Sequence, residues 1–366
     1  MVAERVAEAR SIQAVVDHRW YVNREPAIGP GLVSIEIDVE IAERELWVDP
    51  PDAGDHGIGG HGFLSVLRSA TRDYPCPVTI TTRRFGAQSM TADLHEVLVK
   101  PPGPAFARAF DDPGSGFLHP VDIETARREH GAFTELLGSL GPTVHVLDEE
   151  LDDDPDLVYT FDPLLVADAG AIPLRPGKPN RLGEPALLES WTTAHGIPTA
   201  GRIEAPGTVE GGDTFWLLPD LLCVGRTLRT NASGVAQLAD LVGGDVRVFD
   251  VPYWKGQAEL IHLLSVISPV ADDLAVVFMP LLPVGLWELL EDLEIRLVPV
   301  AEEEFSTLGC NVLAVRPGVV IMAEGNSATA SALSAAGCEV HTYPASEISV
   351  NGSGGPTCMT RPILRG

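Results

Sequence analysis

The sequence predicts an α/β chain built as a ring of about five small strand-turn-strand-helix units and closed by the C-terminal segment, with an α+β extension ahead of the ring. Two observations carry this: a repeated local grammar and a period of about 50 residues, the length at which strand-rich units stack radially. In the grammar, an apolar strand, a tight turn, a second strand and a polar cluster lead into a helix. One copy runs from Leu157 through Leu164-Leu165-Val166, the Ala169-Gly170 turn and Pro176-Gly177-Lys178-Pro179-Asn180-Arg181 into a helix near Glu184 to Trp191. A second runs from Thr214 through Leu221 to Gly225 and Arg229-Thr230-Asn231 into a helix over Val235 to Leu241. The third passes from Asn311 to Val315, through Pro317-Gly318 and Val319 to Met322, into Ala328 to Ala336. By subtraction, the landmarks Asp156, Glu210, His262 and Asn311 lie 54, 52 and 49 residues apart. Two more units are expected, one with a strand over Leu94 to Val99 and a helix over Ile123 to Leu140, the other over Leu260 to Leu290.

Residues 1–88 do not follow this grammar and are read as a separate α+β unit, with the ring over 89–366. Within the first unit, Ser34 to Glu40 alternates as a strand with one wet face, Phe63 to Thr71 suggests a helix and Val78 to Thr82 another strand. Asp55 to Gly62, which contains His56 and His61, is read as a glycine-rich loop rather than a metal site.

Composition narrows the function class. With 366 residues and 45% hydrophobic content, the chain can bury a core without disulfide staples. A net charge of -27 opposes any polyphosphate partner, so nucleic acid is excluded. The acidic run Asp148 to Asp156 is read as a solvated loop. No run approaches the ~18 apolar residues a membrane helix needs, and no basic region followed by an apolar one opens the chain. Five cysteines without C-x-x-C spacing predict reduced thiols and a cytoplasmic protein. By the general prevalence of twofold assemblies, a homodimer is expected.

Five segments place Cys, His, Arg and carboxylates in turn-rich contexts, where function concentrates. They are Pro155 to Asp162, Val209-Glu210-Gly211-Gly212-Asp213, Leu228-Arg229-Thr230-Asn231, Ile261-His262-Leu263-Leu264-Ser265, and Gly354-Gly355-Pro356-Thr357-Cys358. In this combination the chain resembles the guanidino-modifying enzymes of the five-bladed, pseudo-symmetric α/β-propeller (pentein) fold. Within them it is most similar to dimethylarginine dimethylaminohydrolases, with arginine deiminases and arginine:glycine amidinotransferases as relatives. The resemblance covers roughly residues 90–366. It implies Cys358 as nucleophile, His262 as general acid/base and Glu210 and Asp162 as guanidinium-binding carboxylates. It further implies Arg181 and Arg229 as contacts to the substrate carboxylate, and Asp156 and Ser265 as pocket residues; Asp213, at the end of the Glu-Gly-Gly-Asp turn, is a further candidate for substrate binding or for holding that turn. No metal or organic cofactor is required, and the partner is a small guanidino substrate.

The chemistry asks for that set. A guanidinium is a planar cation whose carbon is a poor electrophile until fixed carboxylates hold its N–H groups. A thiolate then adds to the carbon, and a histidine protonates the departing amine and later deprotonates water. Two departures bear on substrate choice. Leu264 stands where deiminases and amidinotransferases carry an Asp, which favours an N-alkylated arginine over a bare guanidinium. Phe161 stands where dimethylarginine hydrolases often have Glu. Alternatives are amidino transfer to an amine, and a non-catalytic arginine-binding protein.

Overall fold

Apolar runs broken by tight turns fold into antiparallel pairs, and these pairs are the repeating element of the structure. The computed structural model describes residues 32–36, 79–255 and 261–366. The chain divides into two compact units, Met1–Thr82 and Arg83–Gly366. Strands β1 (Leu32–Glu36) and β2 (Thr79–Arg83) pair with each other. The helix expected over Phe63 to Thr71 and the loop Asp55 to Gly62 lie outside the described residues.

The second unit contains five small sheets. The first is formed by β3 (Leu94–Val99) and β4 (Thr143–Val146) together with the last strand of the chain, Arg361–Arg365, and helix α1 (Ile123–Ser139) makes the crossover between β3 and β4. The second pairs β5 (Leu164–Ala167) with β6 (Gly170–Pro173), followed by α2 (Glu184–Ala194) and a single parallel bridge from Ala171 to Thr199. Three further sheets repeat one plan, an antiparallel pair, a helix and a parallel third strand. They are β7 (Thr214–Leu218), β8 (Leu221–Arg226), α3 (Ala232–Val242) and β9 (Asp245–Asp250); β10 (Ile267–Ala271), β11 (Leu274–Val277), α4 (Val284–Asp292) and β12 (Arg296–Pro299); and β13 (Leu313–Arg316), β14 (Val319–Ala323), α5 (Ser327–Ala335) and β15 (Glu339–Tyr343).

These sheets are neighbours in cyclic order. Leu98 and Ile363 of the first pack on Leu164 and Val166 of the second. Leu165 and Ile172 pack with Leu222 and Val224 of the third. Phe215 and Cys223 join Ile267 and Val276 of the fourth, which in turn meet Val312 and Val320 at the fifth. Leu313, Val315 and Ile321 close the circle on Leu94 and Val97. Strands β5, β6, β11 and β14 are buried along their whole length, which is why their sequences read as unbroken apolar runs.

The five expected units are thus present. The sequence reading missed the parallel third strands, which are short, half-exposed and charged: β9 reads Asp-Val-Arg-Val-Phe-Asp. The acidic run was also misread at one end. Asp154 and Asp156 fold inward, at 4% and 5% exposure.

The segment that leads to Cys358 is tied to α1 by Glu129. Its carboxylate accepts the Ser346, Glu347 and Ile348 main-chain N–H groups at 2.8–3.0 Å and the Ser346 hydroxyl at 2.6 Å. Removing it leaves these four donors without their acceptor, the buried Ile348 N–H among them. Glu129→Ala is expected to destabilise the protein by about 2–4 kcal/mol in urea unfolding, with Glu129→Gln in between.

Candidate active site

Each of the five sheets carries one chemically capable side chain in the turn just before its first strand. In chain order they are Asp162, Glu210, His262, Asn311 and Cys358, ahead of β5, β7, β10, β13 and the C-terminal strand. Because these strand starts gather on one side of the ring, residues about 50 apart in sequence meet in space.

Glu210 is fully buried and its two oxygens are shared among three other loops. One accepts the Gly177 and Lys178 N–H groups at 3.0 and 3.3 Å; the other meets His262 Nε2 at 2.6 Å and Arg229 Nη1 at 3.1 Å. Asp162 accepts the Gly212 N–H at 2.7 Å on one oxygen and Arg181 Nη1 at 2.5 Å on the other. Asp162, Glu210 and His262 bring one donor atom each within 4.8 Å of one another. Among the described residues they are the one such group of His, Cys, Asp and Glu spaced to hold a metal ion, and two carboxylates at that spacing also suit a planar organic cation. Cys358 adjoins this group through its carbonyl, which accepts the Phe161 N–H at 3.1 Å.

Electrostatics sets the resting protonation. Burial opposes charge on His262, but Asp162, Asp213 and the hydrogen-bonded Glu210 outweigh it and raise the imidazole to about 9. Burial likewise favours a neutral Glu210, yet His262 and Arg229 hold it down to about 2. The Cys358 thiol is pushed up to about 11, first by burial and then by the Asp162 charge, with hydrogen bonds from Asn311 and the Gly355 main chain pulling the other way. At neutral pH the site therefore holds a thiol, an imidazolium and two carboxylates.

Several of the expected substrate contacts have buried partners within the protein. Arg181 is 2% exposed. Its Nε and Nη2 form a fork on Glu184 at 2.7 and 2.9 Å, its Nη1 binds Asp162, and Nη2 also reaches the Tyr159 carbonyl at 3.1 Å. These contacts occupy its fork and hold the Asp162 carboxylate in place. Asp156 is occupied by Lys178 Nζ at 2.6 Å and Asn180 Nδ2 at 3.0 Å, and Arg181 and Lys178 hold its carboxyl below the usual range against the burial that raises it. Asp213 is fully buried; it accepts the Leu263 N–H at 3.0 Å and the Thr227 hydroxyl at 2.7 Å, pinning the turn that carries His262. Ser265 caps the same turn, its hydroxyl accepting the His262 N–H at 3.0 Å while its own N–H returns to the His262 carbonyl. Leu264 is 4% exposed within the apolar core, in one cluster with Phe161. Phe161 packs against the Arg361 guanidinium at 3.9 Å from its ring centre. Arg229 keeps 26% of its side chain exposed. The sequence reading passed over Glu184, whose signal was its three-residue spacing from Arg181 at a helix start, and Lys178 as the partner of Asp156.

Gly212 has no room for a side chain. A Cβ there would lie 2.5 Å from His262 Nδ1 and 3.0 Å from Asp162 Oδ1. Gly212→Ala is expected to lower turnover on the order of 10²-fold with little change in melting temperature, because the collision displaces the reacting groups. The charge on His262 gives a second test. Its folded value, about 9, lies above the ordinary 6.5, so its contribution to stability is complete below 6.5 and is lost as pH rises toward 9. The melting-temperature advantage of the protein over its His262→Ala variant is expected to shrink between those values.

The chain's similarities agree with this geometry. Residues 282–365 match the arginine deiminase family model. The chain is 33% identical over 221 residues to N(G),N(G)-dimethylarginine dimethylaminohydrolase of Streptomyces coelicolor, covering 60% of this chain and 79% of that protein. It is 27% identical over 246 residues to the uncharacterised protein YkgA of Bacillus subtilis, covering 67% and 82%. Among solved structures, a mutant dimethylarginine dimethylaminohydrolase from Pseudomonas aeruginosa complexed with citrulline superposes with a TM-score of 0.63 at 24% identity, over 74% of this chain and all of the other. The N-terminal domain of ArgZ, covalently bound to a reaction intermediate, gives 0.65 at 19% identity over 74% and 98%. The chain belongs to the pentein superfamily of guanidino-modifying enzymes and within it to the family of dimethylarginine dimethylaminohydrolases.

Proposed function

We propose that this protein is a cysteine-dependent hydrolase that cleaves a C–N bond of an arginine-type guanidinium to give citrulline and an amine or ammonia. The observation that carries the reading is the convergence of Asp162, Glu210 and His262 within 4.8 Å, with Cys358 tied to the residue before Asp162 through its carbonyl and its thiol within reach of the Asp162 charge. Asp162 and Glu210 are anchored from behind by Arg181, Gly212, Gly177 and Lys178, so they are preorganised to accept the N–H groups of a planar cation.

The arriving cation supplies what the resting site lacks. Its positive charge offsets the carboxylates that hold the thiol protonated, so Cys358 ionises when substrate is bound. The Sγ electron pair forms a bond to the guanidinium carbon, giving a neutral tetrahedral adduct. Protonated His262 passes its proton to the leaving nitrogen, the C–N bond breaks, and a cationic thiouronium remains on Cys358. Neutral His262 then takes one proton from water as its oxygen adds to the same carbon; the C–S bond breaks and the remaining hydroxyl proton passes to the departing sulfur or to solvent, which leaves the neutral ureido product. Arg229, partly exposed beside Glu210, is the cation placed for a substrate carboxylate. Leu264 offers no acceptor to a second edge of the guanidinium, which favours an N-alkylated nitrogen there. Three free, buried thiols, Cys223, Cys310 and Cys338, accord with a reducing compartment such as the cytoplasm.

Citrulline release from dimethylarginine, monomethylarginine and arginine tests the proposal. Product is expected from at least one, faster from a methylated form, and at background level with Cys358→Ser. Quenched intact protein is expected to carry the amidine carbon on Cys358. Failure of all three substrates to yield citrulline overturns it.

A further inference from the structure

Four of the five loop residues that precede a sheet's first strand have a part in the chemistry above; the fifth, Asn311, does not. We infer that Asn311 is a catalytic residue whose side-chain amide donates a hydrogen bond to the Cys358 sulfur and stabilises the thiolate. This rests on Cys358 being the nucleophile.

Asn311 Nδ2 lies 3.3 Å from Cys358 Sγ, and Asn311 is 7% exposed. Which end of the amide faces the sulfur follows from a second contact. The Thr357 N–H donates to the other end at 3.1 Å; a main-chain N–H requires an acceptor, so the oxygen faces Thr357 and the NH₂ must face Sγ. One amide thus grips two consecutive residues of the nucleophile loop, one by its main chain and one by its reacting atom.

The placement is fixed from every side. The Asn311 N–H donates to the Leu308 carbonyl at 2.9 Å, and Leu308 sits at φ 68°, a left-handed conformation that a branched L-residue adopts only when its surroundings impose it. The Ser268 hydroxyl donates to the Cys310 carbonyl at 2.7 Å and accepts the Val312 N–H at 3.2 Å, clamping both flanks of Asn311. On the loop side, a Cβ at Gly355 would fall 2.5 Å from the Asn311 amide, so glycine is what allows the loop to lie against it. A side chain held this tightly loses little entropy when it binds the thiolate, and a hydrogen bond to a charged acceptor is stronger than one to a neutral thiol. The bond therefore strengthens as Cys358 ionises, which is the property a thiolate-stabilising group needs.

The test follows alkylation of Cys358 by iodoacetamide against pH, quantified on the Cys358 peptide by mass spectrometry, without substrate. Asn311→Asp keeps the acceptor for Thr357 and replaces the donor with a negative charge; Asn311→Ala removes both. The alkylation midpoint is expected to rise by about one unit or more in Asn311→Ala, and further in Asn311→Asp. A midpoint in Asn311→Ala equal to that of the unaltered protein overturns the proposal even where Asn311→Asp rises, since the added carboxylate raises the midpoint by its charge alone. If neither variant folds, the side-chain amide protons of Asn311 in labelled unaltered protein are expected to shift with the Cys358 midpoint and to lose that shift in Cys358→Ser; no titration overturns the proposal. Citrulline production that survives Cys358→Ser would instead overturn the nucleophile assignment, whatever the alkylation midpoints are.

Discussion

The guanidinium of Arg181 lies between two buried carboxylates, forked on Glu184 and bonded through Nη1 to Asp162, and the arrangement of the site hangs from it. A guanidinium between two carboxyl groups, all out of water, is a poor source of net stability, because desolvation offsets most of the attraction, and burial pushes the Glu184 carboxyl well above its usual range. What it supplies is geometry. With one oxygen spent on Arg181, Asp162 can turn only its other oxygen toward Gly212 and the interior. Gly212 follows Glu210 by two residues, so the same contact sets where the Glu210 loop lies, and Glu210 in turn receives His262 at 2.6 Å. Tyr159, whose carbonyl Arg181 also holds, packs with its ring against Gly354 of the nucleophile loop. A single buried guanidinium thus reaches the acid/base group on one side and the thiol on the other.

The sheets were legible where burial is two-sided. Strands such as β5 and β14 must be apolar at every position, and a run of that kind bounded by Gly or Pro leaves few other readings. The parallel third strands were not, because an edge strand half in water, such as Asp245–Asp250, has no composition that separates it from a loop. The same division runs through the site. The meeting of Asp162, Glu210 and His262 next to Cys358 was legible because the proposed reaction demands those groups and each sits in a turn. The buried contacts of Arg181, Asp156, Asp213 and Ser265 were not, since a charged or polar side chain in a turn is the same letter whether it faces a ligand or a buried partner. The fold supplies those partners: Glu184 and Asp162 for Arg181, Lys178 for Asp156, Leu263 for Asp213.

Asn311 shows the limit from the other direction. It marked the repeat as a landmark, yet a lone Asn before a strand is an ordinary turn residue, and nothing local ties it to a cysteine 47 positions later by subtraction. The ring makes the connection. When each unit delivers the turn before its first strand to one place, the repeat itself names the residues that can meet, and a landmark without a role becomes a candidate for one.

Charge gives these pieces a common direction. A site holding Asp162 and Glu210 as anions keeps Cys358 neutral in the absence of a cation, since burial and Asp162 both oppose the thiolate. A neutral thiol resists oxidation and stray alkylation far better than a thiolate. In the proposed reaction the substrate is the cation that shifts this balance, so nucleophile and target are activated in the same encounter. The -27 charge of the chain acts earlier along the same coordinate, drawing positively charged small molecules toward the protein and repelling anions. Selection for a guanidinium over other cations then falls to geometry at the end of that path, to two carboxylates fixed by Arg181 and Gly212 on one side and by Gly177 and Lys178 on the other, in positions a planar fork of N–H donors can meet and an ammonium cannot.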